Sequence, residues 1–181
     1  GTTFPQFLPT GDRARRAIRS SSAPRPTRSV EKGSVPMRQS LSRLNVETRG
    51  RGFYDITREV QGRVTEAVVR TGLCTLHLQH TSASLVIQEN ADADVRADFE
   101  RFFDRLVPDG DRLFEHTVEG PDDMPAYVRT ALTAVNVSVP VADGRLCLGT
   151  WQGIYLWEHR RAPHRRTVIV HVLGDSEPSN R

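Results

Sequence analysis

Cysteine is scarce in this chain. Cys74 and Cys147 are its two cysteines, so no disulfide framework can be built, and a reducing compartment, the cytoplasm, is the expected setting. Long apolar runs are missing: no stretch approaches ~20 consecutive apolar residues, which excludes a transmembrane helix and argues against a membrane partner. The Walker and dinucleotide-binding glycine patterns are absent, as are a Gly-x-Ser-x-Gly elbow and any Cys-x-x-Cys pair. Lysine is nearly absent too: Lys32 stands alone beside 24 arginines. The arginines give a net charge of +3 and a pI near 9.3, which invites a nucleic-acid reading until their positions are considered.

The positions count against it. Residues 1–36 carry seven basic and two acidic residues, a net of +5, which leaves −2 for residues 37–181. The first segment is also rich in proline and serine, with few large apolar residues and no periodicity. It reads as a disordered basic extension, 1–36, ahead of one folded domain, 37–181. A transit peptide or a tail touching nucleic acid or membrane are the alternatives to a non-functional extension.

From Met37 the pattern is α+β. Leu41 to Thr48 and Phe53 to Ile56 read as strands. Thr57 is the expected N-cap of a helix carrying Val60, Val64 and Val68 on one face, with Gly72 as its stop. Leu73 to Gln79 and Ser84 to Gln88 are apolar strands. Asp92 to Leu106 is an amphipathic helix, and a third helix starts near Asp122. Val135 to Val141, Leu146 to Leu148, Ile154 to Trp157 and Thr167 to Leu173 complete the strands, with Ala142-Asp143-Gly144 as a hairpin turn. The order ββα ββ α α ββββ lacks regular βα alternation, which argues against a Rossmann domain.

Four groups could carry chemistry. His80-Thr81-Ser82, between two strands, can bind metal or phosphate or move protons, or can be an ordinary turn. Glu89-Asn90-x-Asp92 can ligate Mg²⁺ through oxygen or can cap a helix. His116 with Glu119, Asp122 and Asp123 suggests a divalent site or an acid–base pair, against a solvated acidic loop. Gly149-Thr150-Trp151-Gln152-Gly153 suggests a bulge or close backbone approach, where Trp151 could stack on a heterocycle and Arg160 could pair with a phosphate. Arg160, Arg161, Arg165 and Arg166 could instead form a nucleic-acid patch, but aromatic interleaving beyond Trp157 is missing.

At these residues the sequence resembles the YjbQ family of secondary thiamine-phosphate synthases, from about Met37 to Gly174. The resemblance rests on Gln79-His80-Thr81-Ser82-Ala83-Ser84, Glu89-Asn90-x-Asp92, Glu100-Arg101-Phe102 and Val107-Pro108-Asp109. It continues in Glu119-Gly120-x-Asp122-Asp123-Met124-Pro125 and in Gly149-Thr150-Trp151-Gln152-Gly153-Ile154 followed by Glu158-His159-Arg160. It implies a YjbQ-like mixed fold with a β-sandwich-like core and three helices. It also implies a homotrimer, small phosphorylated heterocyclic substrates and a divalent metal such as Mg²⁺. The implied reaction joins hydroxymethylpyrimidine diphosphate to thiazole phosphate with release of pyrophosphate. The alternative is a small-molecule, anion or metal-binding protein whose synthase activity is incidental.

The resemblance makes His80, His116, Glu119, Trp151 and Arg160 the catalytic candidates. Thr81, Ser82, Asn90 and Gln152 are then binding candidates, and His80, His116, Asp92 and Asp122 metal candidates. Many members carry a histidine where this chain has Tyr127, and a protonated tyrosine is a poor divalent ligand. In the expected mechanism a divalent ion, or Arg160 with protonated His80 or His116, neutralises the departing pyrophosphate. Trp151 would stabilise the pyrimidine methylene cation, and the thiazole nitrogen would attack it.

Overall fold

The computed structural model describes residues 37–176, so the expected basic extension, 1–36, lies outside the described residues. The described chain forms two antiparallel sheets and three helices. The larger sheet has the strand order β1-β8-β3-β5-β6, with β1 spanning Met37–Glu47, β8 Arg165–Ser176, β3 Val69–Leu78, β5 Asn136–Ala142 and β6 Arg145–Leu146. The smaller sheet has the order β2-β7-β4, spanning Gly52–Asp55, Gln152–Glu158 and Ala83–Glu89.

Alternation explains the larger sheet. Val168, Val170 and Val172 of β8 point inward with Cys74, Leu76 and Leu78 of β3 and Val139 and Val141 of β5. They meet Leu85, Ile154 and Leu156 of the smaller sheet and Val60 and Val64 of α1, Thr57–Ala67, in one apolar cluster. The sandwich-like core follows, because each sheet buries one apolar face against the other. β7 is buried on both sides. Tyr155 and Trp157 point away from the core, and α2, Ala93–Leu106, covers them with Phe99 and Phe103. Phe53 stacks on Trp157 at 4.5 Å, and Phe103 meets it edge-on at 4.7 Å. α3, Asp123–Leu132, is tied to the end of α2 by the buried Arg129, whose Nη2 donates to Asp104 Oδ1 and to the Val107 carbonyl.

Two helix signals read differently in three dimensions. Thr57 is the first residue of α1 rather than its cap, and its hydroxyl accepts from the Ile154 N–H at 2.8 Å, tying the helix to β7. Gly72 does not stop α1. The helix ends at Val68 in a left-handed conformation (φ 52°), and Gly72 lies inside β3 opposite Gly174. A Cβ on Gly72 would stand 2.1 Å from the Leu173 carbonyl oxygen, so this position serves close strand approach.

Candidate functional site

His80 follows the end of β3, where the chain leaves the larger sheet for β4. Its Nε2 accepts the backbone N–H of Thr167 at 2.9 Å, and its Nδ1 lies 3.5 Å from Nη1 of Arg166. Burial, then the Arg166 charge, pull the His80 imidazole below its ordinary pKa, against a smaller opposing effect of Glu158. The expected protonated His80 is therefore corrected: at neutral pH this ring is neutral, with one nitrogen committed to backbone. His80 and Thr81 line a cleft of about 780 Å³ whose opposite wall is Tyr127, Thr130 and Ala131 of α3. Ser82 points inward instead, and its hydroxyl accepts from Arg166 Nη2 at 3.0 Å.

His116 stands on the loop before α3. Its Nε2 is 3.0 Å from Oδ2 of Asp123, a fully buried carboxylate. His116, Glu119 and Asp123 each offer a ligand atom within 4.8 Å of the others. Arg160 grips the same acids: its Nη1 donates to Asp123 Oδ1, its Nε to Asp122 Oδ2 at 3.1 Å, and its Nη2 to the Glu119 carbonyl at 2.8 Å. Burial pushes the Asp122 carboxyl up, but the Arg161 N–H and the Arg160 guanidinium outweigh it and hold it below the usual carboxylate range. Each of the three Arg160 guanidinium nitrogens thus already has a partner within the protein.

Glu158 and Tyr127 join the two halves. Glu158 is fully buried. Its carboxylate accepts from Arg166 Nε at 2.7 Å and Nη2 at 2.5 Å, from the Arg160 N–H at 3.0 Å and from the Thr48 hydroxyl at 2.9 Å. A continuous polar chain therefore runs from His80 through Arg166, Glu158 and Arg160 to Asp123 and His116. Tyr127 forms a wall of the His80 cleft and lies 6.4 Å, ring to ring, from His116. Burial and a hydrogen bond to Asp123 raise its phenol pKa, so its proton stays on. It fills the gap between the histidines as a donor rather than as a metal ligand.

The structure does not bring every expected residue here. Trp151, Gln152, Asn90 and Asp92 lie at the opposite end of β4 and β7, because Glu89 pairs with Gln152 while Ala83 pairs with Glu158. Six steps along β7 are roughly 20 Å at the usual strand rise. There Asp92 caps α2 by accepting the Asp94 N–H at 2.8 Å, and the Asn90 amide donates to the carbonyls of Thr150 and Gln152. The Gln152 side chain accepts the Gly149 N–H at 2.8 Å, and Trp151 is 65% exposed. These contacts hold a loop against a helix end; within one chain, Asp92 reaches neither histidine.

Arg166, expected at most in a surface nucleic-acid patch, is instead buried against Glu158, and strand parity marks both. Arg166 shares the inward register of Val168, Val170 and Val172, and Glu158 that of Ile154 and Leu156. A charged residue at a core-facing strand position signals a buried pair.

Comparison with known proteins adds the following. Residues 42–175 match the family model described as UPF0047 protein YjbQ-like. A UPF0047 protein of Synechocystis sp. is 51% identical over 142 residues, covering 78% of this chain and 97% of that relative. The UPF0047 protein YjbQ of Salmonella typhimurium is 44% identical over 133 residues, covering 73% of this chain and 96% of its own. Among solved structures, a YjbQ/UPF0047 family protein of Clostridium acetobutylicum superposes with TM-score 0.66 at 34% identity, covering 72% of this chain and 98% of that one. A YbjQ-like protein of Sulfolobus solfataricus shares the fold, with TM-score 0.70 at 23% identity, over 77% of this chain and all of that one.

Proposed function

The chain belongs to the UPF0047 YjbQ-like family, and from that premise we propose that it joins two small phosphorylated heterocycles in the cleft beside Tyr127, as a thiamine-phosphate synthase. We propose further that it works as a homotrimer in the cytoplasm. The observation that carries the catalytic reading is the joining of two unlike environments at one tyrosine. One side of Tyr127 is a cleft of about 780 Å³, ample for a heterocycle. The other side is the donor set His116, Glu119 and Asp123.

That donor set fits a divalent cation. Nitrogen and carboxylate oxygens suit Mg²⁺, Mn²⁺ or Zn²⁺, and the arginines nearby are already neutralised by Glu158, Asp122 and Asp123. A bound divalent ion would supply the positive charge that a leaving diphosphate needs and that these paired arginines do not offer. The chain's own residues do the rest. Arg160 holds Asp122 and Asp123 in place, and Tyr127 donates its phenol proton toward Asp123. In the reaction, the bond from the pyrimidine methylene carbon to the diphosphate oxygen breaks, and a bond from the thiazole nitrogen to that carbon forms. The nitrogen attacks with its own lone pair, so no strong base is required, and positioning supplies the main acceleration.

The test is turnover. The full chain, given hydroxymethylpyrimidine diphosphate, thiazole phosphate and Mg²⁺, is expected to release thiamine phosphate and pyrophosphate. His116→Ala is expected to lower that rate at least tenfold. No product from the wild type, or an unchanged rate in His116→Ala, overturns the proposal. Cation binding without product would favour a metal-binding protein instead.

A further inference from the structure

No arginine, lysine or carboxylate lines the cleft beside Tyr127. Much of its wall is apolar, with Ala131 and Val135 beside the aromatic surface of Tyr127. A phosphate placed there would lose water and meet no permanent cation in exchange, whereas an uncharged ring loses little. One uncharged polar side chain on this wall is uncommitted. The Gln79 N–H bonds the Thr167 carbonyl at 3.0 Å, so strand geometry continues one residue past β3. Leu78 is buried in the core, and alternation therefore puts the Gln79 side chain on the opposite, exposed face with His77. Both residues line the cleft. The Gln79 side-chain amide has no hydrogen-bond partner among the described residues.

We propose that Gln79 reads the amino edge of the pyrimidine and is the specificity-determining residue for that substrate. The assignment rests on the synthase reading above and says which part of the substrate lies in the cleft. The pyrimidine carries an amino group next to a ring nitrogen, so one edge presents a donor beside an acceptor. A glutamine amide presents the complement: Oε1 accepts from the amine, and Nε2 donates to the ring nitrogen. Glutamine reads an equivalent donor–acceptor edge of adenine by the same two bonds. The thiazole phosphate offers a single ring acceptor and no donor, so it satisfies half of the amide at most. The cleft's lack of cationic side chains argues in the same direction, because it favours the uncharged ring over the phosphates.

The test compares two ligands on two proteins by calorimetry at neutral pH, without turnover. The ligands are the unphosphorylated pyrimidine alcohol and its analogue with hydrogen in place of the amino group. The full-length wild type should bind the analogue about fivefold more weakly, for the loss of one hydrogen bond. Gln79→Met keeps the side-chain length at an exposed position and removes both bonds. It should bind the alcohol at least about fivefold more weakly and should no longer distinguish the two ligands. A wild type that binds both ligands alike, or neither, overturns the assignment, and so does an undiminished preference in Gln79→Met. A wild type that shows this coupling but forms no thiamine phosphate sinks the synthase reading and leaves Gln79 as the reader of the pyrimidine edge. A wild type that turns over without the coupling does the reverse.

Discussion

The most perturbed histidine in the described chain is not in the cleft. His159 is fully buried on the α2 side of β7, with Nε2 2.7 Å from the Ser84 hydroxyl and Nδ1 without a partner. Burial, then the charges of Arg129, Arg51 and Arg166, push its pKa down to about 3. Unfolded, the same imidazole titrates at about 6.5. The unfolded chain therefore takes up a proton below pH ~6.5 that the folded chain refuses until about pH 3. Its contribution to stability is complete above pH ~6.5 and is lost progressively as the pH falls toward 3, at up to ~1.4 kcal/mol per unit. Urea unfolding at pH 7.5 and pH 5 should show a larger acid loss in the wild type than in His159→Gln, by about 2 kcal/mol. Equal losses would contradict this account.

At the scale of elements, the end of α1 shows how local signals can be misassigned. Gly72 is the residue a sequence reading picks as a helix stop, yet the left-handed residue is the β-branched Val68, at φ 52° and 49% exposed. The cost of that conformation falls on a valine, while the glycine is spent where β3 and β8 approach closely. Val68→Gly should therefore raise stability by about 1 kcal/mol, by relieving that backbone. Gly72→Ala should lower it by about 2 kcal/mol or more, because the Leu173 carbonyl cannot move without disturbing the strand ladder. Thermal melts check both, and the opposite order of the two variants would refute this reading of the turn. The segment before α2 teaches a related lesson. Glu89, Asn90 and Asp92 look like an oxygen-ligand set in sequence, but the Glu89 and Asp92 carboxylates accept N–H groups of the turn and helix start, and the Asn90 amide donates to the Thr150 and Gln152 carbonyls.

For the whole molecule, the larger sheet buries one face in the core and turns the other outward. Met37, Leu41 and Leu73 on or beside that outer face are 71, 69 and 44% exposed. A homotrimer would cover such a surface, and it could also bring the distant Trp151 end of one copy to the cleft of another. Sedimentation of the full chain should give the mass of three copies. Leu41→Glu combined with Leu73→Glu should shift it toward one copy without loss of secondary structure. A monomeric wild type would remove this expectation. Among the described residues no helix is long and apolar enough to cross a membrane.

Sequence alone settled the family, the α+β class and most elements. Their signals are local: valine alternation in β8, the aromatic stripe of α2 and the Asp143-Gly144 turn each act within a few residues. It also named His80, His116, Glu119, Asp122 and Arg160 as candidates; the structure groups the last four at the start of α3, while His80 lies beside Arg166 on the wall of the cleft. Only the tertiary structure could separate Trp151, Gln152, Asn90 and Asp92 from them, since motif membership does not tell which end of a strand a residue occupies. Only packing could show that every Arg160 nitrogen already has a partner, that Arg166 and Glu158 are a buried pair, and that His80 takes the Thr167 N–H. Those facts depend on partners far away in the chain, Thr167 for His80 and Asp122 for Arg160, which meet only when the sheets close.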